Sequence, residues 1–97
     1  MNKEKLIPID QLCIHYQIEI SLFYQLQDFK IIEILSIEDS NVIHEDKIDI
    51  VEKVIRMKKD LNINLEGIDT ILNLLEKIND LQTELDTVKN RLRLYED

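Results

Sequence analysis

One glycine, one proline and one cysteine are spread over 97 residues, and there is no tryptophan. A lone glycine, Gly67, excludes the glycine-rich loops that cradle phosphates or dinucleotides. With so little glycine and proline there is no composition for a flexible linker, so the length bounds the chain to one small domain plus an appended element. A lone cysteine, Cys13, closes no internal disulfide, and its expected place is in the core, where free cysteine usually sits. Cations are scarce as well: 12 stand against 20 acids, a net charge of −8. No segment approaches the ~20 apolar residues of a membrane span. The start of the chain, MNKEKLIPID, is charged and its apolar run is too short for a secretory signal. A soluble, cytoplasmic protein is the expectation, with no membrane partner.

The residues of enzymatic chemistry are equally thin. Cys13, His15 and His44 are the only thiol and imidazoles. A zinc site takes about four ligands, and a cysteine nucleophile needs a positioned base and oxyanion donors. His15 reads as a capping or surface residue, and His44 as the opening of a helix. Carboxylate pairs arise by chance in a chain this acidic. No catalytic residue, metal site or cofactor is expected.

What the sequence does have is an unbroken heptad run. Ile71, Leu74, Ile78, Leu81, Leu85, Val88, Leu92 and Tyr95 alternate in steps of three and four, which places all of them on one stripe of a single helix. Asn79, Asp80, Gln82, Thr83 and Asp86 keep the rest of that surface polar. The last turns would have nothing in so short a chain to cover, so the stripe predicts a second helix, most simply that of another copy. Lys77, Glu84 and Arg91 flank the seam on one side, and Gln82, Lys89 and Glu96 on the other. Orientation is left open by the pattern.

Upstream, Ile9, Leu12, Cys13 and Tyr16 predict a short helix from Pro8 to Tyr16. Leu22, Phe23, Leu26 and Phe29 give an amphipathic face over Glu19 to Phe29. Two short helices joined near Gln17 and Ile18 form a helix-turn-helix candidate. The branched run Ile31 to Leu35 reads as a strand, Ser36 to Asn41 as a turn, and Val42-Ile43 as a return strand, together a small hairpin or wing. His44 to Asp60 is read as the third helix, with Glu45 and Asp46 in its first turn and Lys58 and Lys59 in its last, as the helix dipole favours. Asn64 is a good N-cap for the fourth helix, which runs to about Tyr95. Ile68, Leu72 and Leu75 form a second apolar stripe, expected to pack on the domain. The organisation is thus a winged domain over residues 1–62 and a dimerisation helix over 63–97.

Charge is uneven. Residues 1–50 hold ten acids against four lysines, which is −6 of the net −8. The second helix, Ser21-Leu22-Phe23-Tyr24-Gln25-Leu26-Gln27-Asp28, has no lysine or arginine, and the wing carries Glu33, Glu38 and Asp39 and no base. Gln25 and Gln27 have side chains that can read adenine. Phosphate contacts nonetheless supply most of the affinity of protein–DNA complexes, so nucleic acid is not the expected partner. Asp28, Glu33, Glu38, Asp39, Glu45, Asp46 and Asp49 have two readings: a solvated face that aids solubility, or a patch that steers and holds a basic partner.

The order helix, tight turn, helix, wing, helix, long coiled-coil helix resembles the MerR-type winged helix-turn-helix. The stretches IPIDQLCIHYQIE and NVIHEDKIDIVEKVIRMKKDLNINLEGIDTILNLL carry the likeness. More narrowly the chain resembles the CbpM-type chaperone modulators, through Leu12-Cys13 with His15, Ile31-Ile32-Glu33, Asn64-Leu65-Glu66-Gly67-Ile68 and the seam ending in Arg91-Leu92 and Tyr95-Glu96. One departure is Phe29-Lys30, where the pattern usually has a glycine before the wing strand. The resemblance implies a mostly α fold: a MerR-like winged helix-turn-helix with a small β-hairpin wing and a long C-terminal coiled-coil helix, paired antiparallel in a homodimer. It also implies a function, binding the J-domain of a CbpA/DnaJ-like co-chaperone and blocking its use by Hsp70. An acidic surface covering the basic helix of that domain would act by occlusion, which favours the patch reading of the seven acids. The alternative is a MerR-like transcriptional regulator that binds DNA as a dimer, and a blander class is a dimerisation adaptor.

Overall fold

The computed structural model describes residues 5–96. In chain order these form β1 (Leu6–Pro8), α1 (Ile9–Tyr16), α2 (Ile20–Asp28), β2 (Leu35–Ile37), β3 (Ser40–His44), one 3-10 turn (Glu45–Lys47), α3 (Ile48–Asp60) and α4 (Leu65–Tyr95). The chain divides into two compact units, the first ending at Leu65 and the second beginning at Glu66.

In the first unit, Pro8 ends β1 and caps α1 at once. Its φ of −62° and ψ of 134° are extended, and the missing N–H costs nothing at the edge of a sheet or before a first helical turn. Gln17 stops α1 in the left-handed region at φ 56°, and Ile18 N–H bonds back to Cys13 O at 3.0 Å. Gln17, Ile18 and Glu19 make the tight turn, and α2 follows with Leu22, Phe23 and Leu26 buried on one face.

The exit from α2 is a Schellman motif. Lys30 N–H bonds to Gln27 O and Ile31 N–H to Leu26 O, both at 2.9 Å, while Lys30 takes φ 62°. Lysine thus occupies the left-handed position that glycine usually fills. From here the structure corrects the strand expected over Ile31 to Leu35. Ile32 is driven into the core and Ile34 N–H is held by the Gln27 side chain at 2.8 Å, so this segment is an anchor, and pairing starts only at Leu35.

The sheet is antiparallel in the order β1-β3-β2. β3 takes both partners, with Val42 opposite Pro8 on one side and Leu35 on the other. The hairpin turn is two residues long, Glu38 and Asp39, between the pair Ile37 and Ser40. Both have positive φ, 51° and 63°, the signs of a type I′ turn that matches strand twist. β1 went unread in the sequence, because three residues ending in proline carry no alternation. His44 closes β3 opposite Leu6 and caps the 3-10 turn that follows, so it stands before the helical residues and not among them. The third helix proper begins at Ile48, after the 3-10 turn.

Ile9, Phe23, Leu26, Ile43, Val51 and Val54 are fully buried and form the centre of this unit's core. Each such side chain contributes roughly 1.5–3 kcal/mol on leaving water. Among the described residues no polar or charged side chain is buried. Cys13 is only half-buried, at the margin of the core and not inside it.

The second unit is the remainder of α4, which as a whole is a 31-residue helix about 46 Å long at ~1.5 Å per residue. Ile68 is buried, Leu72 half-buried and Leu75 exposed. Thr70, Thr83 and Thr87 each turn their hydroxyl onto the carbonyl four residues back, which leaves no unmet polar group on the helix from these residues.

Candidate functional site

Two of the polar side chains on α2 are tied to the wing. Asn41 Nδ2 donates to the Tyr24 hydroxyl at 3.0 Å, and the Gln27 carbonyl oxygen receives Ile34 N–H. Gln27 is therefore occupied where the sequence left it available to read a base. Gln25, Ser21 and Asp28 remain exposed on α2, and the helix has no cation of its own.

All seven acids of the proposed patch are exposed. Glu38 and Asp39 stand together at the wing tip. Glu45 and Asp46 lie in the 3-10 turn that follows β3, and Asp49 in the first turn of α3. Asp28 ends α2, and Glu33 lies in the anchor segment. The patch is interrupted by lysines. Lys5 pairs with Glu45 at 3.8 Å, a surface contact worth ~0–1 kcal/mol. A shallow hollow of about 350 Å³ brings Glu33 together with Lys30 and Lys47.

Asp49 also acts elsewhere. Tyr16 OH donates to Glu52 at 2.7 Å, fastening α1 to α3, and Lys59 Nζ donates to Tyr16 O at 3.1 Å. The hydrogen bond to Glu52 is the main cause that pushes the Tyr16 phenol up to about 12; burial and the charges of Glu52 and Asp49 add to it. Burial, then the charge of Asp10, raises the Cys13 thiol, which makes it a poorer nucleophile at neutral pH. Among the described residues no group of three or more His, Cys, Asp or Glu side chains could hold a metal ion, and no helix is long and apolar enough to cross a membrane.

A groove of about 480 Å³ runs between the helix-turn-helix and α3. Ile18, Leu22 and Ile55 give it apolar surface, Ser21 and Gln25 line it from α2, and Lys58 and Lys59 from α3. Sequence reasoning treated these two lysines only as complements to the helix dipole. The signal it passed over is the basic run Lys53, Arg56, Lys58, Lys59. Their meeting with α2 is tertiary and has no local signature.

On α4 the predicted seam is a continuous apolar stripe. Ile71 is half-buried, and Leu74, Ile78, Leu81, Leu85, Val88, Leu92 and Tyr95 are exposed, from 47% at Leu85 to 87% at Tyr95. An apolar stripe of this length is far from the scattered exposed leucines of an ordinary surface.

A family model described as MerR HTH family regulatory protein matches residues 7–90. No curated protein and no solved structure matches the chain. The match runs from β1 through both helices of the helix-turn-helix, the wing and α3 into most of α4. The order of elements in the structure is that of a winged helix-turn-helix with a long C-terminal helix. The chain belongs to the MerR HTH family of regulatory proteins.

Proposed function

We propose that this chain is a non-catalytic modulator that acts in the cytoplasm as a homodimer, binding the J-domain of a CbpA/DnaJ-like co-chaperone through its acidic surface and keeping it from Hsp70. The observation that carries this reading is the state of the DNA-reading apparatus. The second helix has no cation, its Gln27 holds the segment before the wing and its Tyr24 accepts a bond from the wing residue Asn41, and the wing tip presents Glu38 and Asp39. A surface of this sign repels phosphate and attracts the basic helix that a J-domain offers. Calorimetric titration of the purified protein with the isolated J-domain, at low and moderate salt, tests it. Saturable binding that weakens as salt rises supports both the partner and the acidic face, because the reach of exposed charges shrinks from ~30 Å at ~0.01 M salt to ~8–10 Å at ~0.1–0.15 M. Absence of binding at both salts rejects the chaperone assignment.

The second reading is a transcriptional regulator that binds DNA as a dimer. Family membership favours it, as do Lys58 and Lys59 beside α2. Retention on a duplex-DNA column at low salt, with a preference among sequences, would select this reading over the first.

A further inference from the structure

We infer that the groove between the helix-turn-helix and α3 is a second docking site, of opposite sign to the acidic surface, for a short acidic amphipathic segment of a partner protein. This stands independently of the J-domain reading, since it uses other residues and the other charge. The floor is apolar: Ile18 and Ile55 are half-buried and Leu22 lies beneath them. The α3 side is basic. Lys59 is held in place by its bond to Tyr16 O, and an ammonium has three donors, so two remain for a ligand. Lys58 has no ion pair or side-chain hydrogen bond among the described residues. An adjoining hollow shares Ile55 and Lys59 and adds Arg56 together with Glu52 and Asp60, so its charges balance and the basic side of the groove is Lys58 and Lys59.

Size and sign together choose the occupant. About 480 Å³ suits a few side chains and not a whole domain, since ligand clefts run from ~300 to ~1,000 Å³. Aliphatic side chains at i, i+3 or i+4 of a partner helix would fill the floor, with flanking carboxylates on Lys58 and Lys59. A nucleic acid fits less well. Glu19 lines the same groove and Glu52 and Asp60 line the adjoining hollow, while Glu38 and Asp39 stand on the wing. A regular chain of phosphates meets those carboxylates; a short segment with two acids need touch only the lysines.

The test is an NMR titration of the full, isotopically labelled chain. The probe is a synthetic helical peptide with leucine at i, i+3, i+4 and i+7 and glutamate between. Three comparison ligands accompany it: the same peptide with serine for leucine, with lysine for glutamate, and a DNA duplex. Saturable amide shifts centred on Ser21, Gln25, Ile55, Lys58 and Lys59 are expected. Lys58→Glu should weaken the peptide ~10-fold, the loss of one charge-assisted contact, with an unchanged circular dichroism spectrum. Lys58→Glu/Lys59→Glu should abolish binding. Glu38→Lys/Asp39→Lys should leave it intact, whatever happens to the J-domain. Equal binding of the serine or lysine peptide, shifts centred elsewhere, no shifts at all, or DNA perturbing these amides at lower concentration than the peptide would each overturn the assignment.

Discussion

Five non-glycine residues hold positive φ: Gln17, Lys30, Glu38, Asp39 and Asn62. Asparagine tolerates this region, whereas a lysine β-carbon meets the next carbonyl at a cost of ~1–2 kcal/mol. Lys30→Gly removes that cost, and the greater freedom of glycine in the unfolded chain returns about 0.5–1 kcal/mol of it. The variant should therefore gain up to ~1 kcal/mol, seen as a rise of about 4–8 °C per kcal/mol in the melting midpoint at matched protein concentration. A lowered midpoint would mean that the Lys30 side chain, beside Glu33, contributes more than its backbone costs. Tyr16 gives a prediction in pH. Its phenol rises from 10.0 to about 12 on folding, so the folded state binds the proton more tightly than the unfolded state. The stabilisation is complete below about pH 10, and it is lost as pH climbs through about 12. Urea unfolding across this window should show stability falling, and Tyr16→Phe should flatten that part of the fall. A slope unchanged in the variant would remove the Tyr16–Glu52 bond from the account.

At the scale of the element, the wing tip separates charge from fold. A type I′ turn favours Asn-Gly, and here it is built from Glu-Asp. Glu38→Asn/Asp39→Gly should thus stabilise the hairpin while discarding two charges. If the wing tip meets the J-domain, affinity at low salt should fall ~2–30-fold, since exposed charges contribute about 0.2–1 kcal/mol each. Glu38→Lys/Asp39→Lys should weaken it further without unfolding the domain. Unchanged affinity in both would move the interface to the exposed side of α3. The elements themselves were unequally legible. α1, α2 and α4 lie within a residue of their sequence-based limits, because an apolar face repeating every 3.6 residues is stated many times over. The sequence pattern puts β2 four residues early, since the branched run Ile31 to Leu35 has strand propensity whether it pairs or anchors. His44 reads locally as helical because its pairing with Leu6 is long-range. The α2–α3 groove joins residues thirty or more positions apart, and nothing local in either stretch announces the other.

For the whole molecule, the deciding quantity is the uncovered stripe of α4. Seven consecutive heptad positions from Leu74 to Tyr95 are exposed, and each leucine or isoleucine among them would gain roughly 1.5–3 kcal/mol if fully buried. A winged domain alone gives no reason for such a run, whereas knobs-into-holes packing against a second α4 gives one for every residue in it. A homodimer would also matter to the proposed function, because two linked acidic surfaces would raise the effective concentration of the second once the first has bound. Leu81→Asp places a charge in the middle of the seam of both copies. Lost burial alone is about 3 kcal/mol across the pair, so the dimer should weaken at least ~100-fold. Light scattering after size exclusion should then read 11.6 kDa where the parent chain reads twice that mass. Leu85→Asp should behave alike, and the amide spectrum of the first unit should keep its dispersion in both variants. A parent chain that already runs as a monomer, or an aspartate variant that keeps the doubled mass, would reject α4 as the dimer seam.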